Sequence, residues 1–183
     1  RDTVSLKALL SRSSPITLER RQRYLIALTL ASSHLQLHST PWLASQWREE
    51  DIAFLRDPNN PSNILHDQPY IPRGFTESSF SSAPAQNGDF SFSTLGIILL
   101  ELCFGMSFDD WKGRKSLTTS DPLLEPVCDH AAANMWCNDV LGESGLEYES
   151  AVRWCLNNTF MRKDRWREEF LQQVIGPVHN CYI

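Results

Sequence analysis

The stretch that decides the fold is FSTLGIILLELCFG, residues 92–105. From 95 to 104 only Gly96 and Glu101 are not apolar, so no turn of a helix here would present a polar face. A helix that is apolar all round has to be surrounded by other parts of the protein. The stretch therefore predicts a buried central helix, with Gly105 as the residue that ends it.

This apolar stretch is not expected to cross a membrane. It is much shorter than the ~20 residues that a membrane helix needs, and Glu101 would lie within the hydrocarbon. The sequence therefore predicts a protein without a membrane span.

Composition predicts one globular domain over residues 1–183, since a chain of this length can bury a sizeable core. The net charge of −5 and the scattered Lys and Arg residues provide no basic stripe for a phosphate backbone, so we expect no nucleic-acid partner. Five cysteines, an odd number, are typical of reduced thiols, and we expect a cytoplasmic protein. Because the chain begins at Arg1 and not at Met, we expect it to be a fragment of a longer protein.

On the N-terminal side, the sequence predicts two helices. Residues 4–10 form a short amphipathic pattern. Residues 18–38 place apolar side chains at helical spacing, which predicts a long helix with one buried face, capped by Thr17 and ended by Pro41.

Between this helix and the central one, the sequence predicts a small β-hairpin. Residues 52–55 (IAFL) are typical of a short strand, and DPNNP at 57–61 is a turn sequence. The Ser/Ala/Pro-rich residues 78–88 predict a mobile loop.

After the central helix, residues 106–121 are polar and turn-rich, and 123–141 predict one or two short helices. Residues 148–156 and 164–175 are amphipathic helices. The last is predicted to present four apolar side chains on one face and to end at Gly176-Pro177. These four are Trp166, Phe170, Leu171 and Val174.

The order of these elements resembles the C-terminal lobe of a protein kinase. The strongest match is TLGIILLELCFG at 94–105, which is similar to the central helix of that lobe, S-x-G-[VI]-[LI]-L-x-E-[LM]-x-x-G. Four shorter matches are SLKALL at 5–10, LQLH at 35–38, YIP at 70–72 and VRWCL at 152–156. The resemblance implies a mainly α fold, a kinase C-lobe-like bundle around the helix 92–105 with a small β-hairpin insertion.

More narrowly, the chain is similar to an uncharacterised fungal family of kinase-like domains that often follow HeLo-type helical domains. The likeness rests on LHSTPWL at 37–43, W-x-x-x-D-I-x-F-L at 47–55, PYI at 69–71 and the helices already named. It implies a degenerate kinase fold, a pseudokinase, in fungal signalling or self/non-self recognition.

The groups that carry out phosphoryl transfer in kinases are missing from this sequence. Kinases use an H-R-D-x-x-x-x-N loop and a D-F-G motif to position the substrate and Mg²⁺. Here His38 is followed by STPWL, and no D-F-G occurs. We therefore predict that the chain has no catalytic, cofactor-binding or metal-binding residues, and so is not an enzyme and has no cofactor.

Two other groups of residues contain side chains that can bind a metal ion. Cys128, His130 and Cys137 match no regular zinc spacing, and we expect packed or surface thiols. His34 and His38 have metal-capable i, i+4 spacing, but a structural role near the helix end is favoured.

Acidic and aromatic residues are also interpreted structurally. Glu101 is expected to be a satisfied buried carboxylate, Glu49-Glu50-Asp51 a solvated edge or helix cap, and Asp109-Asp110 a turn. Aromatic residues in or beside the irregular segments either fill a core beneath loops or anchor a partner. They are Trp42, Trp47, Tyr70, Phe75 and Trp111.

The sequence thus favours a non-catalytic interaction or regulatory domain that binds a protein partner or the upstream domain of its own chain. Two alternatives remain open. One is a divergent kinase fragment or an enzyme of unrecognised chemistry, and the other is a small-ligand binder that uses the degenerate catalytic groove.

Overall fold

The helix α3, Ser91–Phe104, lies at the centre of the molecule. The structure, a computed structural model, describes residues 3–38, 47–71, 91–158 and 165–183. Within α3, Leu95, Leu99 and Leu102 are fully buried. Gly105 follows the helix with a φ of 66°, a left-handed conformation that costs glycine little. The predicted central helix and its end are confirmed.

Three helices cover α3: α2, Arg20–Leu37; α5, Glu125–Cys137; and α6, Val140–Asn157. Helix α6 approaches α3 closely at Gly96. A Cβ atom there would lie 2.8 Å from Cδ2 of Leu156 and 3.2 Å from Cβ of Cys155. Glycine at this position therefore lets the two helices approach.

The long helix α2 lies where the sequence predicts it, but its cap is different. Glu19, not Thr17, is the N-cap, and its backbone N–H donates to Oε1 of Gln22 at 2.9 Å. The α2 helix ends at Leu37, and the predicted stop at Pro41 lies outside the described residues.

The described strands form a three-stranded antiparallel sheet in the order β1-β2-β3: β1, Thr3–Ser5; β2, Ala53–Asp57; β3, Asn60–Ile64. The predicted hairpin is confirmed as β2 and β3. The predicted helix at 4–10 is wrong in its first turn, because Val4 pairs with Phe54 in the sheet. Helix α1 is Leu6–Leu10, capped by Ser5, whose Oγ accepts the Ala8 N–H at 3.2 Å. The predicted loop at 78–88 lies outside the described residues.

The C-terminal region is helical. After α3 come a 3-10 turn, Phe108–Asp110, and α4, Lys112–Ser116. Near the C-terminus, α7 (Trp166–Phe170) leads through a π-helical segment, Leu171–Ile175, into α8, Gly176–Tyr182.

Two details of the predicted last helix are wrong. Gly176-Pro177 does not end the helical region, because Pro177 lies in the first turn of α8, where its missing N–H leaves no hydrogen bond unmade. Leu171 is exposed and does not share the buried face of Trp166, Phe170 and Val174.

The described chain is thus mainly helical with a small antiparallel sheet. None of its described helices has both the length and the apolar character needed to cross a lipid bilayer.

Candidate functional site

A cavity of about 240 Å³ lies where five elements meet. These are α1, the 3-10 turn Glu49–Asp51, the first half of α3, the turn Phe108–Asp110 and the first half of α5. Trp47, Ile97, Ile98, Phe108 and Pro126 give it apolar walls. We call it the Lys7 cavity, after the cation at its rim.

Lys7 holds three carboxylates at that rim. Its Nζ lies 3.1 Å from Oε2 of Glu50, 3.2 Å from Oδ2 of Asp109 and 3.4 Å from Oε1 of Glu49. Burial of the ammonium lowers the pKa of Lys7, but the hydrogen bonds with Glu50 and Asp109 outweigh it and raise the pKa above its ordinary value. Lys7 is therefore a fixed positive charge that its three partners share, so the rim keeps an excess of negative charge.

Glu101 is a buried carboxyl whose pKa is influenced by the charges of this cluster. Its Oε1 accepts the Phe108 N–H at 2.7 Å, while Oε2 has no hydrogen-bond partner within the described residues. Burial raises the pKa of Glu101 well above its ordinary value, and the charges of Glu49 and Asp109 raise it further. The neutral form is therefore favoured, and the predicted satisfied carboxylate is wrong for one of its two oxygens.

On the opposite side, Arg114 of α4 pairs with α5. Its Nε lies 2.5 Å from Oδ1 of Asp129, and its Nη2 lies 3.8 Å from Oε1 of Glu125. Burial raises the pKa of Asp129 despite the charge of Arg114. The carboxylates around the cavity thus already have cationic partners from the same chain.

Helix α5, which contributes Pro126 and His130 to the cavity, also has an exposed apolar face. Its members are Leu124, at the N-cap, and Val127, Ala131 and Met135. Leu124 and Met135 are each 51% exposed and Val127 is 65% exposed. Their spacing of three, four and four residues places them in one row along the helix. We call this row the outer face of α5.

The outer face of α5 lies opposite the face that the fold covers. Ala132, Ala133, Trp136 and Cys137 are all buried against the rest of the protein. Leu123, just before the helix, extends the exposed apolar surface and is 85% exposed. A helix that is apolar on two opposite faces and covered on one leaves a surface of the kind that binds another molecule.

Acids predominate along the chain on both sides of this surface, with Glu125 and Asp129 paired with Arg114 and Glu149 paired with Arg153. The sequence from 116 to 152 contains no Lys or Arg, and its acids are Asp121, Glu125, Asp129, Asp139, Glu143, Glu147 and Glu149. The outer face of α5 is therefore apolar at its centre and acidic along the chain on both sides.

The family model described as "Domain of unknown function (DUF7580)" matches residues 1–175, nearly the whole chain. The chain belongs to the DUF7580 family. Comparisons with curated proteins and with solved structures gave no match.

In this DUF7580 domain, the suspected zinc residues are not gathered into a site. Within the described part of the chain, no group of three or more His, Cys, Asp or Glu side chains could hold a metal ion. His130 faces Asn134, with Nε2 and Nδ2 3.1 Å apart. Cys137 is buried, and burial raises the pKa of its thiol. All five cysteines are free, and burial raises the pKa of Cys103 to about 11.

The two histidines of α2 belong to an aromatic core. His34 and His38 are buried, and their ring centroids lie 4.9 and 4.8 Å from that of Phe92. Trp166 lies 4.5 Å from His38 in the same cluster. The two rings join α2 to the start of α3 and to α7, as the predicted structural role implies.

The acidic turns lie at the rim of the Lys7 cavity. Asp51 caps its turn by accepting the Arg48 N–H at 2.9 Å, and this confirms the predicted cap. Asp109 and Asp110 lie in a 3-10 turn, as predicted, and pair with Lys7 and Lys115.

The aromatic candidates of this DUF7580 domain have different environments. Trp47 is buried and lines the cavity. Trp111 stacks on Trp136 at 5.3 Å, so both tryptophans fill the core beneath irregular segments. Tyr70 is 36% exposed and forms an isolated antiparallel β-bridge with Ala53. Trp42 and Phe75 lie outside the described residues.

Sequence reasoning missed Lys7, Arg114 and the outer face of α5. The ion pairs of Lys7 join distant parts of the chain, so no local pattern predicts them. The outer face had a readable signal in the apolar spacing from Leu124 to Met135 and in the lack of Lys and Arg around it.

Proposed function

We propose that this DUF7580 domain is a non-catalytic interaction or regulatory domain that binds a protein partner or the upstream domain of its own chain. The observation that carries the proposal is the outer face of α5, a row of exposed apolar side chains on an otherwise well-packed helix. Exposed apolar surfaces of this kind, rimmed by polar residues, mark protein interaction sites.

The charges at the Lys7 cavity support the non-catalytic part of the proposal. Phosphoryl transfer needs carboxylates that hold Mg²⁺ and cations that stabilise the developing phosphate charge. Here Glu49 and Asp109 are held by Lys7, and Asp129 by Arg114. These acids are therefore already paired with cations of the same chain.

We further propose that the domain has the architecture of a kinase C-terminal lobe and acts in fungal signalling or self/non-self recognition as a pseudokinase. The order of elements supports this: a short helix, a long helix that ends in Leu-His, a hairpin and a buried central helix. The proposal rests on the sequence likeness of α3 and its neighbours.

Photo-crosslinking tests the interaction role. A photoreactive phenylalanine analogue is placed at Val127 in the longest natural form of the protein, expressed in its own host. The matched control places it at Gln172, an exposed residue of the π-helical segment. We expect position 127 to give one specific protein or intramolecular cross-link that position 172 does not give. Equal yields at both positions, or none, would overturn the proposal.

Nucleotide binding tests the enzymatic alternative. Thermal denaturation of the same form with ATP and Mg²⁺ is expected to give no saturable stabilisation. Saturable stabilisation together with Mg²⁺-dependent phosphate transfer would contradict the non-catalytic assignment.

A second candidate function is small-ligand binding in the Lys7 cavity. It is favoured by Trp47, which lines the cavity and whose indole Nε1 has no hydrogen-bond partner among the described residues. A fragment screen by NMR tests it, with Ile97→Trp as a cavity-filling variant. Fragments that bind the natural chain and not the filled variant would support a ligand site.

A further inference from the structure

We propose that the outer face of α5 binds an amphipathic helix of a partner that carries Lys or Arg beside its apolar residues. This inference rests on the proposed function, because it specifies the chemistry of the partner at the same surface.

The shape of the surface favours a helix as the occupant. Leu124 and Met135 are eleven positions apart, so the row is about 16 Å long, or about three helical turns. The backbone groups of α5 are bonded within the helix, so the face offers no open edge to which a strand could add. An apolar row on a second helix can pack along it, and the small side chain of Ala131 lets the two helices come close.

The charge of the surface favours a basic occupant. Asp121 precedes the row and Asp139 follows it, and neither has an ion-pair partner among the described residues, while Glu125 and Asp129 share the single cation Arg114. Lys or Arg side chains on a partner would meet these acids, steer its approach and set its orientation.

The same charges disfavour other occupants. In a dimer of two antiparallel α5 helices, Asp121 of one copy would approach Asp139 of the other, and like charges at an interface repel. An anionic lipid surface and a nucleic acid are disfavoured for the same reason.

Two designed peptides test the proposal directly. One is an amphipathic helix of Leu and Lys, and the other carries Glu at every Lys position. Affinity is measured by fluorescence anisotropy near physiological salt. We expect the Leu/Lys peptide to bind at least ~10-fold more tightly than the Leu/Glu peptide, with a scrambled Leu/Lys peptide also ~10-fold weaker.

Matched variants locate the binding. Val127→Glu is expected to weaken the Leu/Lys peptide about 10-fold, whereas Leu171→Glu, at another exposed leucine, changes its affinity by less than about twofold. Both side chains are exposed, so the two variants should have the same midpoint of thermal unfolding as the natural protein. Charge reversal by Asp121→Lys with Asp139→Lys should reduce or invert the preference for the basic peptide.

Three results would overturn the inference: equal binding of the two charged peptides, equal effects of Val127→Glu and Leu171→Glu, or a dimer in analytical ultracentrifugation that Val127→Glu dissociates. If position 127 still cross-links one protein in the experiment above, only the basic chemistry fails. If neither that cross-link nor peptide binding is found, the proposed function fails as well.

Discussion

Helices α3 and α5 are both rich in apolar residues, yet the fold treats them differently. Helix α3 is buried or half-buried at every residue from 92 to 104, whereas α5 is covered along Ala132, Ala133, Trp136 and Cys137 and left bare along its outer face. The difference shows that apolar content alone does not decide what the core contains. The apolar residues that the fold leaves uncovered are the ones with which it can bind something else.

The largest effect should come from truncating a buried side chain of α3, with a truncation on the outer face of α5 as the control. Leu99→Ala is expected to lower the free energy of unfolding by about 2–5 kcal/mol, because it leaves a cavity in the centre of the core. Val127→Ala should change it by less than about 0.5 kcal/mol, because Val127 is exposed. Urea denaturation measures both. A cost for Val127→Ala near that of Leu99→Ala would show that the outer face is covered within the chain.

Replacing glycine by alanine should lower the stability at a closely packed position and raise it at an open one. Gly96→Ala is expected to cost about 1–3 kcal/mol, because the new Cβ would meet Leu156 of α6.

The matched variant is Gly142→Ala in α6, where a Cβ would meet no atom within 4 Å. Gly142 lies in the first turn of α6, before the break in the helix at Gly145, whose φ is 83°. Alanine there should stabilise the protein by about 0.4–1 kcal/mol, because it has less conformational freedom than glycine in the unfolded chain. Thermal denaturation tests the pair. If Gly96→Ala stabilised the protein as well, α3 and α6 would not be in close contact.

The one acid of α3 should show a pH-dependent effect. Below about pH 4, Glu101 is protonated in the folded and unfolded states alike, so Glu101→Gln should be nearly neutral. As pH rises, the unfolded state releases its proton while the buried carboxyl keeps it, so the natural protein loses stability.

Glutamine is not affected, so its advantage should grow as pH rises from the unfolded-state pKa to the raised folded-state pKa of Glu101, by about 1.4 kcal/mol per pH unit, and stay constant above it. Urea denaturation across pH measures this difference. An advantage that does not change with pH would mean that Glu101 ionises as readily in the folded state as in the unfolded one.

The smallest effect should come from the rim of the cavity. Lys7→Met leaves Glu49, Glu50 and Asp109 without their shared cation, so that the net negative charge of the rim increases. We expect a loss of about 1 kcal/mol or less, because these ion pairs are partly exposed to solvent.

The loss from Lys7→Met should shrink at high salt, and Lys112→Met, at an exposed lysine of α4, serves as the control. Equal losses in the two variants, measured by urea denaturation at low and high salt, would show that the three ion pairs contribute nothing.

The sequence predicts the elements whose cause is local. The apolar run from 95 to 104, interrupted only by Gly96 and Glu101, predicted α3, and the DPNNP turn predicted the hairpin. Strand β1 could not be predicted from the sequence, because Thr3–Ser5 form a strand only by pairing with β2, about 50 residues along the chain. The predicted stop at Gly176-Pro177 was wrong, since proline is compatible with the first turn of a new helix.

For the candidate site, the sequence supplied its acids but not its arrangement. Glu49, Glu101 and Asp109 were all singled out, yet nothing local indicates that Lys7 pairs with Glu49 and Asp109 or that their charges act on Glu101. The exposed row from Leu124 to Met135 is different, because spacing and charge alone could have predicted it, although only the structure shows which of the two apolar faces is covered.

The ion pairs of Lys7 also bear on the order in which the molecule assembles. They join residues 43 positions apart, to Glu50, and 102 positions apart, to Asp109. Closing such long loops is entropically expensive, so these contacts gain from an already folded centre. We expect the N-terminal strand and helix to dock late, and their amide protons to exchange with solvent before those of α3.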